Sequence, residues 1–147
     1  EAYKYLLELR YEGKLFIEAD IPEEYLDRTL PSLTLQPLVE NAVSHGVVPK
    51  EAGGVIRVRL RLCRDVLRVT VSDNGVGMDA AVCGRLNRLE DVPAGQNSGI
   101  GVVNVARRLA ILCPGSSFRV ASWPNIGTCI RMELPRAQAE NRAAKEA

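Results

Sequence analysis

From Val55 to Asp73 hydrophobic and polar residues alternate almost without a break. Ile56, Val58, Leu60 and Leu62 fall on one side of an extended chain, and Arg57, Arg59 and Arg61 fall on the other. After Arg64 and Asp65 the alternation resumes with Leu67, Val69 and Val71. A period of two is the signature of a strand with one covered face, so the segment predicts a hairpin turning at Arg64 and Asp65. "FRVASWPNIGTCIRMELP" predicts two further strands around a turn at Pro124 to Gly127, with Ile130, Met132 and Leu134 inward. "KLFIEAD", near the start, predicts a short strand.

Three segments carry the longer period of a helix. Tyr3, Leu6, Leu7 and Arg10 form a helical pattern that stops at Gly13, and the opening "EAYKYLLELRYEG" reads as the end of a longer upstream helix. In "LQPLVENAVSHG" Leu35, Leu38, Val39, Ala42 and Val43 share one face, predicting a helix over 33–45. Pro37 requires that helix to start close before it, because a proline deeper inside would remove a backbone hydrogen bond. Asn41 and His45, four residues apart, share a side. "IGVVNVARRLAIL", Ile100 to Leu112, predicts the other long helix. Between Met78 and Ser98 the pattern loosens into a long loop with one short helix, and loops of this length in a compact domain are commonly lids or binding elements. Helices and strands are segregated rather than alternating as βαβ units, which predicts an α+β fold, a two-layer α/β sandwich with a mixed, mainly antiparallel sheet and about three helices on one face. The domain spans 14–135, after an upstream helix end or linker (1–13) and before a polar, helix-prone tail (136–147) with no assigned function.

Composition narrows the partners. A chain of 147 residues is one domain's length, enough to bury roughly 70% of its unfolded surface. Nineteen basic against eighteen acidic residues leave a net charge of +1, so no global field recruits nucleic acid or an anionic membrane, and an anionic ligand must be held by local geometry. The arginine row of the hairpin lacks the interleaved aromatics of a nucleic-acid surface and reads as a solvated sheet face. No apolar run approaches the roughly 18 residues of a membrane span, so the segment is expected to make no direct membrane contact. Cys63, Cys83, Cys113 and Cys129 show no CxxC spacing and read as free thiols of a reducing compartment.

Four short blocks place glycines or polar residues where an element ends: "VENAVSHG", "SDNGVGM", "NSGIGVVN" and "NIGT". Asp73 closes a buried strand, and an ionised carboxylate, which only accepts hydrogen bonds, can select a ligand amino group such as that of adenine. In "NSGIGVVN" glycines run into a helix whose free N–H groups and positive dipole end suit phosphate. Gly75, Gly77 and Ala80 also satisfy a dinucleotide GxGxxA pattern, but that reading needs a second parallel strand and an acidic residue about 20 positions on. Glu90 and Asp91 stand at half that distance.

In this order the blocks resemble the asparagine box, two glycine boxes and final Gly-Thr of the ATP-binding domain common to sensor histidine kinases, DNA gyrase, Hsp90 chaperones and mismatch-repair ATPases. The resemblance runs from about Leu33 to Pro135, and the wording "LQPLVENA" with "GIGVVNVARRL" looks most like the autolysin-regulator type of histidine kinase. It implies a Bergerat-type fold, ATP and Mg²⁺ as ligands, and Asn41 as the magnesium ligand through its side-chain oxygen. It further implies that Asp73 accepts from the adenine amino group with Thr128 behind it through water, and that Gly75 and Gly77 line the base and ribose. Gly99, Ile100, Gly101 and the N–H of Val102 would cradle the phosphates, and residues 79–97 would form the lid.

Hydrolytic members of that family carry a water-activating glutamate four residues before the magnesium asparagine. Pro37 stands there in this chain, so the resemblance implies a kinase, with Glu40 as the candidate group that polarises the nucleophile. The accepting histidine would lie in an upstream dimerisation segment of the same protein, with a response regulator downstream. The whole would be the cytoplasmic end of an integral membrane sensor. A nucleotide-gated ATPase or interaction module is the alternative. His45 is expected to contact phosphate rather than to accept it. Ser44 stands where family members often carry lysine.

Overall fold

The computed structural model describes residues 2–25, 30–31, 33–90 and 99–136. Its elements are α1 (Ala2–Arg10), β1 (Leu15–Asp20), α2 (Leu35–Asn41), β2 (Gly54–Cys63), β3 (Val66–Asp73), α3 (Ala80–Asn87), α4 (Ile100–Leu112), β4 (Ser117–Trp123) and β5 (Gly127–Pro135). The strands form one sheet in the order β1-β2-β3-β5-β4.

The hairpin predicted from the alternation is β2 and β3. They pair antiparallel from Ile56 opposite Asp73 to Cys63 opposite Val66, with Arg64 in the left-handed region at the turn. β5 pairs antiparallel with both β3 and β4, whereas β1 and β2 are parallel. The sheet is therefore mixed and mainly antiparallel. The β1–β2 pair departs from the expected segregation: it is one βαβ unit, because parallel neighbours cannot be joined by a hairpin and need a crossover, and α2 supplies it. The antiparallel pairing of β3 on both sides removes the dinucleotide-binding reading of Gly75, Gly77 and Ala80, which requires a parallel strand beside this one.

One face of the sheet is covered. Ile56, Val58 and Leu60, Leu67, Val69 and Val71, and Ile130, Met132 and Leu134 form one buried cluster with Leu38, Val39, Val43 and Val47, with Val102, Val105 and Leu109 of α4, and with Leu86 of α3. The opposite face carries the arginines and lies open. All four cysteines are free.

The helix of "LQPLVENAVSHG" starts at Leu35 rather than Leu33, because Leu33 has φ 57°, outside the helical region. Pro37 is thus its third residue, where its missing N–H costs nothing. Past Asn41 the chain does not end at His45. It widens into a π-helical turn, Ala42–Val47, in which the N–H of Val48 reaches the carbonyl of Val43 at 2.9 Å. Of the expected lid, residues 91–97 lie outside the described residues, as do 137–147 of the tail.

Candidate functional site

The alternation that buries Leu67, Val69 and Val71 continues by one more step, and that step turns Asp73 to the helix-covered side. Across the sheet Asp73 is paired with Thr128 of β5, and Thr128 with Ser122 of β4. The apolar face thus ends in a polar row. Ser122 and Thr128 are each 8% exposed, and their hydroxyls are 2.9 Å apart. Ser122 Oγ accepts the N–H of Met78 at 2.8 Å and donates to the carbonyl of Gly127 at 3.1 Å, tying the loop after β3 to the β4–β5 turn.

Asp73 is half-buried, and Oδ1 accepts the N–H of Gly75 at 2.9 Å. Desolvation raises its pKa; the N–H groups of Gly75 and Thr128 and the charge of Lys50 pull the other way without cancelling it. A carboxylate so placed has spare acceptor capacity and an incentive to find a donor.

Glycines set how closely the elements meet here. A Cβ on Gly46, in the π turn, would stand 2.8 Å from Asp73 Oδ1, and a Cβ on Gly75 would stand 2.2 Å from the Gly46 carbonyl. The two backbones touch, and the N–H of Val76 donates to that carbonyl at 2.9 Å. Gly77 has φ +67°, and a Cβ there would lie 2.0 Å from the Trp123 carbonyl oxygen. Backbone packing alone therefore requires both glycines of "DNGVG".

Asn41, half-buried, ends α2 where the π turn begins, and His45 lies within that turn. Among the described residues neither side chain has a hydrogen-bond partner, which leaves the Asn41 carbonyl oxygen available as a hard, neutral ligand. Glu40 is exposed and turned toward α1: its Oε1 accepts from Tyr3 Oη and from Gln36 Nε2, each at 2.9 Å. Gly99 is the N-cap of α4, Ile100 is 62% exposed, Gly101 is exposed and Val102 is buried. Gly101 faces Pro37, with 3.8 Å between an added Cβ and Pro37 Cβ, so the first turns of α2 and α4 are neighbours. The first N–H groups of α4 have no acceptor within the helix.

Asp73, Gly75 and Thr128 are thus in direct contact, and the helix carrying Asn41 and His45 packs on them through Gly46. Gly99 to Val102 approach by way of Pro37, while Glu40 faces α1. Sequence reading missed Ser122, whose signal was a polar residue at an inward position of an alternating strand. It also missed Gly46, which reads as a helix stop. Asn74, inside a recognised motif, accepts the N–H of Val55 at 2.7 Å and its carbonyl accepts from Lys50 Nζ at 2.7 Å, fixing the entry to β2.

The family model described as "Histidine kinase-, DNA gyrase B-, and HSP90-like ATPase" matches residues 26–138, and the chain belongs to this family. It is similar to the sensor histidine kinase YpdA of Escherichia coli, at 38% identity over 105 residues, covering 70% of this chain and 17% of YpdA. To the sensor histidine kinase YesM of Bacillus subtilis it is 32% identical over 135 residues, covering 90% of this chain and 22% of YesM. The chain spans less than a quarter of the length of either relative. Its fold matches the histidine kinase domain of the blue-light-activated kinase EL346 of Erythrobacter litoralis, with a TM-score of 0.67 at 19% identity over 97% of this chain and 62% of that one. The architecture is the Bergerat-type sandwich of these ATPases.

Proposed function

We propose that the chain is the ATP-binding catalytic domain of a two-component sensor histidine kinase. It would pass the γ-phosphoryl group of Mg-ATP to a histidine in an upstream dimerisation segment of the same protein, from which a response regulator takes it. The observation that carries this reading is Asp73, an inward-facing carboxylate ending an otherwise apolar strand face, held by backbone N–H groups and backed by Thr128 and Ser122.

In this reading Asp73 accepts from the adenine amino group, with Thr128 supporting it, and the backbone at Gly75 and Gly77 lies along the base and ribose. The N–H groups of Ile100, Gly101 and Val102, behind Gly99, hold phosphate oxygens at the positive end of α4. Asn41 offers one side-chain oxygen to Mg²⁺, a donor set that fits because this ion is typically held by one or two protein oxygens together with substrate phosphates and water. When bound there, the ion would supply neutralisation of phosphate charge. His45, one turn beyond Asn41, contacts phosphate. Positioning and charge neutralisation are most of what phosphoryl transfer asks of a protein; Glu40, the candidate group to polarise the incoming histidine, would do so only after giving up its hydrogen bonds from Tyr3 and Gln36 on the α1 side. Pro37, with no base to offer where hydrolytic relatives carry glutamate, speaks against a water-activating ATPase. No helix among the described residues is long and apolar enough to cross a membrane, and the domain would sit at the cytoplasmic end of a membrane sensor.

The test is incubation with Mg-[γ-³²P]ATP, alone and with the upstream segment of the parent protein. Acid-labile label on that segment supports the kinase. Sustained phosphate release by the isolated domain, without labelling, would instead identify a nucleotide-gated ATPase module.

A further inference from the structure

The open face of the sheet is rich in arginine, but most of that charge is already matched. Arg57 pairs with Glu18 at 2.6 Å, Arg61 pairs with Asp20, and Arg68 pairs with Glu133 at 2.8 Å. Two cations are left over. Arg119 of β4 and Arg131 of β5 stand directly opposite each other, and neither has an ion pair or side-chain hydrogen bond among the described residues. Like charges placed opposite on neighbouring strands destabilise a sheet, so the pair costs the free protein something.

These two arginines line a cavity of about 490 Å³ with Ser117, Ala121, Cys129 and Glu133. A second cavity, of about 130 Å³, continues from it across Ala121 and Cys129 toward Trp123 and Ile126. Trp123 is 58% exposed and Ile126 67%. The result is one groove with a floor of small side chains, unpaired cations at one end and bare apolar side chains at the other.

We propose that this groove docks an extended acidic segment of a partner protein, with carboxylates between Arg119 and Arg131 and an apolar residue against Trp123 and Ile126. Guanidinium groups suit carboxylates because their planar fork donates two parallel hydrogen bonds, and a carboxylate between the two relieves their mutual repulsion. A polyanion such as single-stranded nucleic acid is a poorer fit: tracking along the face it meets Glu133, Asp20 and Glu18, and only two arginines of this face are free among the described residues. Nor is the segment an added strand. The outer edge of β4 is blocked at Val120, whose N–H donates to Asn87 Oδ1 and whose carbonyl accepts from Asn87 Nδ2, both at 2.8 Å. The partner therefore lies on the face of the sheet, opposite α2 and α4.

The experiment is selection of a random-peptide display library on the immobilised full chain, then titration of the enriched peptide by fluorescence of Trp123, the single tryptophan. The expected result is enrichment of peptides that combine carboxylates with an apolar residue, a blue shift of Trp123 on binding, and at least tenfold weaker binding by an Arg119→Gln/Arg131→Gln variant whose melting temperature has not fallen. Failure to enrich carboxylates would overturn the proposal, as would equal affinity for the double variant. So would tighter binding of single-stranded DNA or of phosphatidylserine vesicles than of the enriched peptide.

Discussion

Tyr3 and Glu40, thirty-seven positions apart, are joined by a hydrogen bond of 2.9 Å from the phenol to Oε1 of the carboxylate that precedes Asn41. It matters because α1 buries no side chain. Leu7 packs on the core from a partly buried position, and the helix is held besides by this contact at its start and by Glu8 near its end, whose Oε1 accepts the N–H of Ile17 at 2.7 Å. Desolvation, then the hydrogen bond and charge of Glu40, push the Tyr3 pKa up to about 12. A group protonated more readily in the folded state than in the unfolded one adds stability below its unfolded pKa and loses it as pH rises through the folded value. Here that window runs from about 10 to about 12. The contact is partly exposed, so its contribution is under about 1 kcal/mol. Spectrophotometric titration at 295 nm should show a tyrosinate phase near pH 12 that Tyr3→Phe removes, and amide exchange in α1 should quicken in that variant. Loss of amplitude near pH 10 rather than near pH 12 in that variant would disprove the contact.

Two glycines separate packing from ligand binding. Gly75→Ala sets a methyl against the Gly46 carbonyl at 2.2 Å, a collision of backbones with no flexible side chain to yield. The expected loss is about 2 to 3 kcal/mol, read as a shift in the urea midpoint. Gly101→Ala meets only Pro37 at 3.8 Å, and in a helix the exchange should stabilise by about 0.5 to 1 kcal/mol. If the first turn of α4 cradles phosphate, the same variant should lose most of its thermal shift with Mg-ATP. A stabilised variant with an undiminished ATP shift would move the phosphates elsewhere.

Burial holds the Asp73 pKa above its ordinary value. The folded state then binds a proton more readily than the unfolded state does, so this group's contribution to stability falls as pH rises above about 4. Wild type should therefore gain stability relative to Asp73→Asn as pH is lowered from 7 toward 4. Denaturant melts of both proteins across that range check the sign, and a gap that widens in favour of the variant at low pH would refute it.

Much of this arrangement could be read from residue order, because strand alternation is a one-dimensional signal. It located β2 and β3 and set Asp73 at the close of a buried strand; Pro37 fixed the start of α2 to within two residues. What escaped depends on contacts between distant segments. Nothing near Gly46 announces that its carbonyl must meet Gly75, and the π turn follows from that meeting rather than from the local sequence. The parallel pairing of β1 with β2 likewise follows from where α2 lays the chain down. Ser122 was hidden because a serine on a strand reads as solvent-facing until its neighbours Thr128 and Met78 are known.

Whether Asp73 reads an adenine ring at the end of β3 is decided by calorimetric titration of wild type and Asp73→Asn with ATP and with GTP in Mg²⁺. Guanine presents a carbonyl where adenine presents an amino group, and a carboxylate can only accept hydrogen bonds. Wild type should bind ATP at least ten times more tightly than GTP, a preference lost in the variant. Equal affinity of wild type for the two nucleotides, or an ATP preference that survives in Asp73→Asn, would rule out adenine recognition by Asp73.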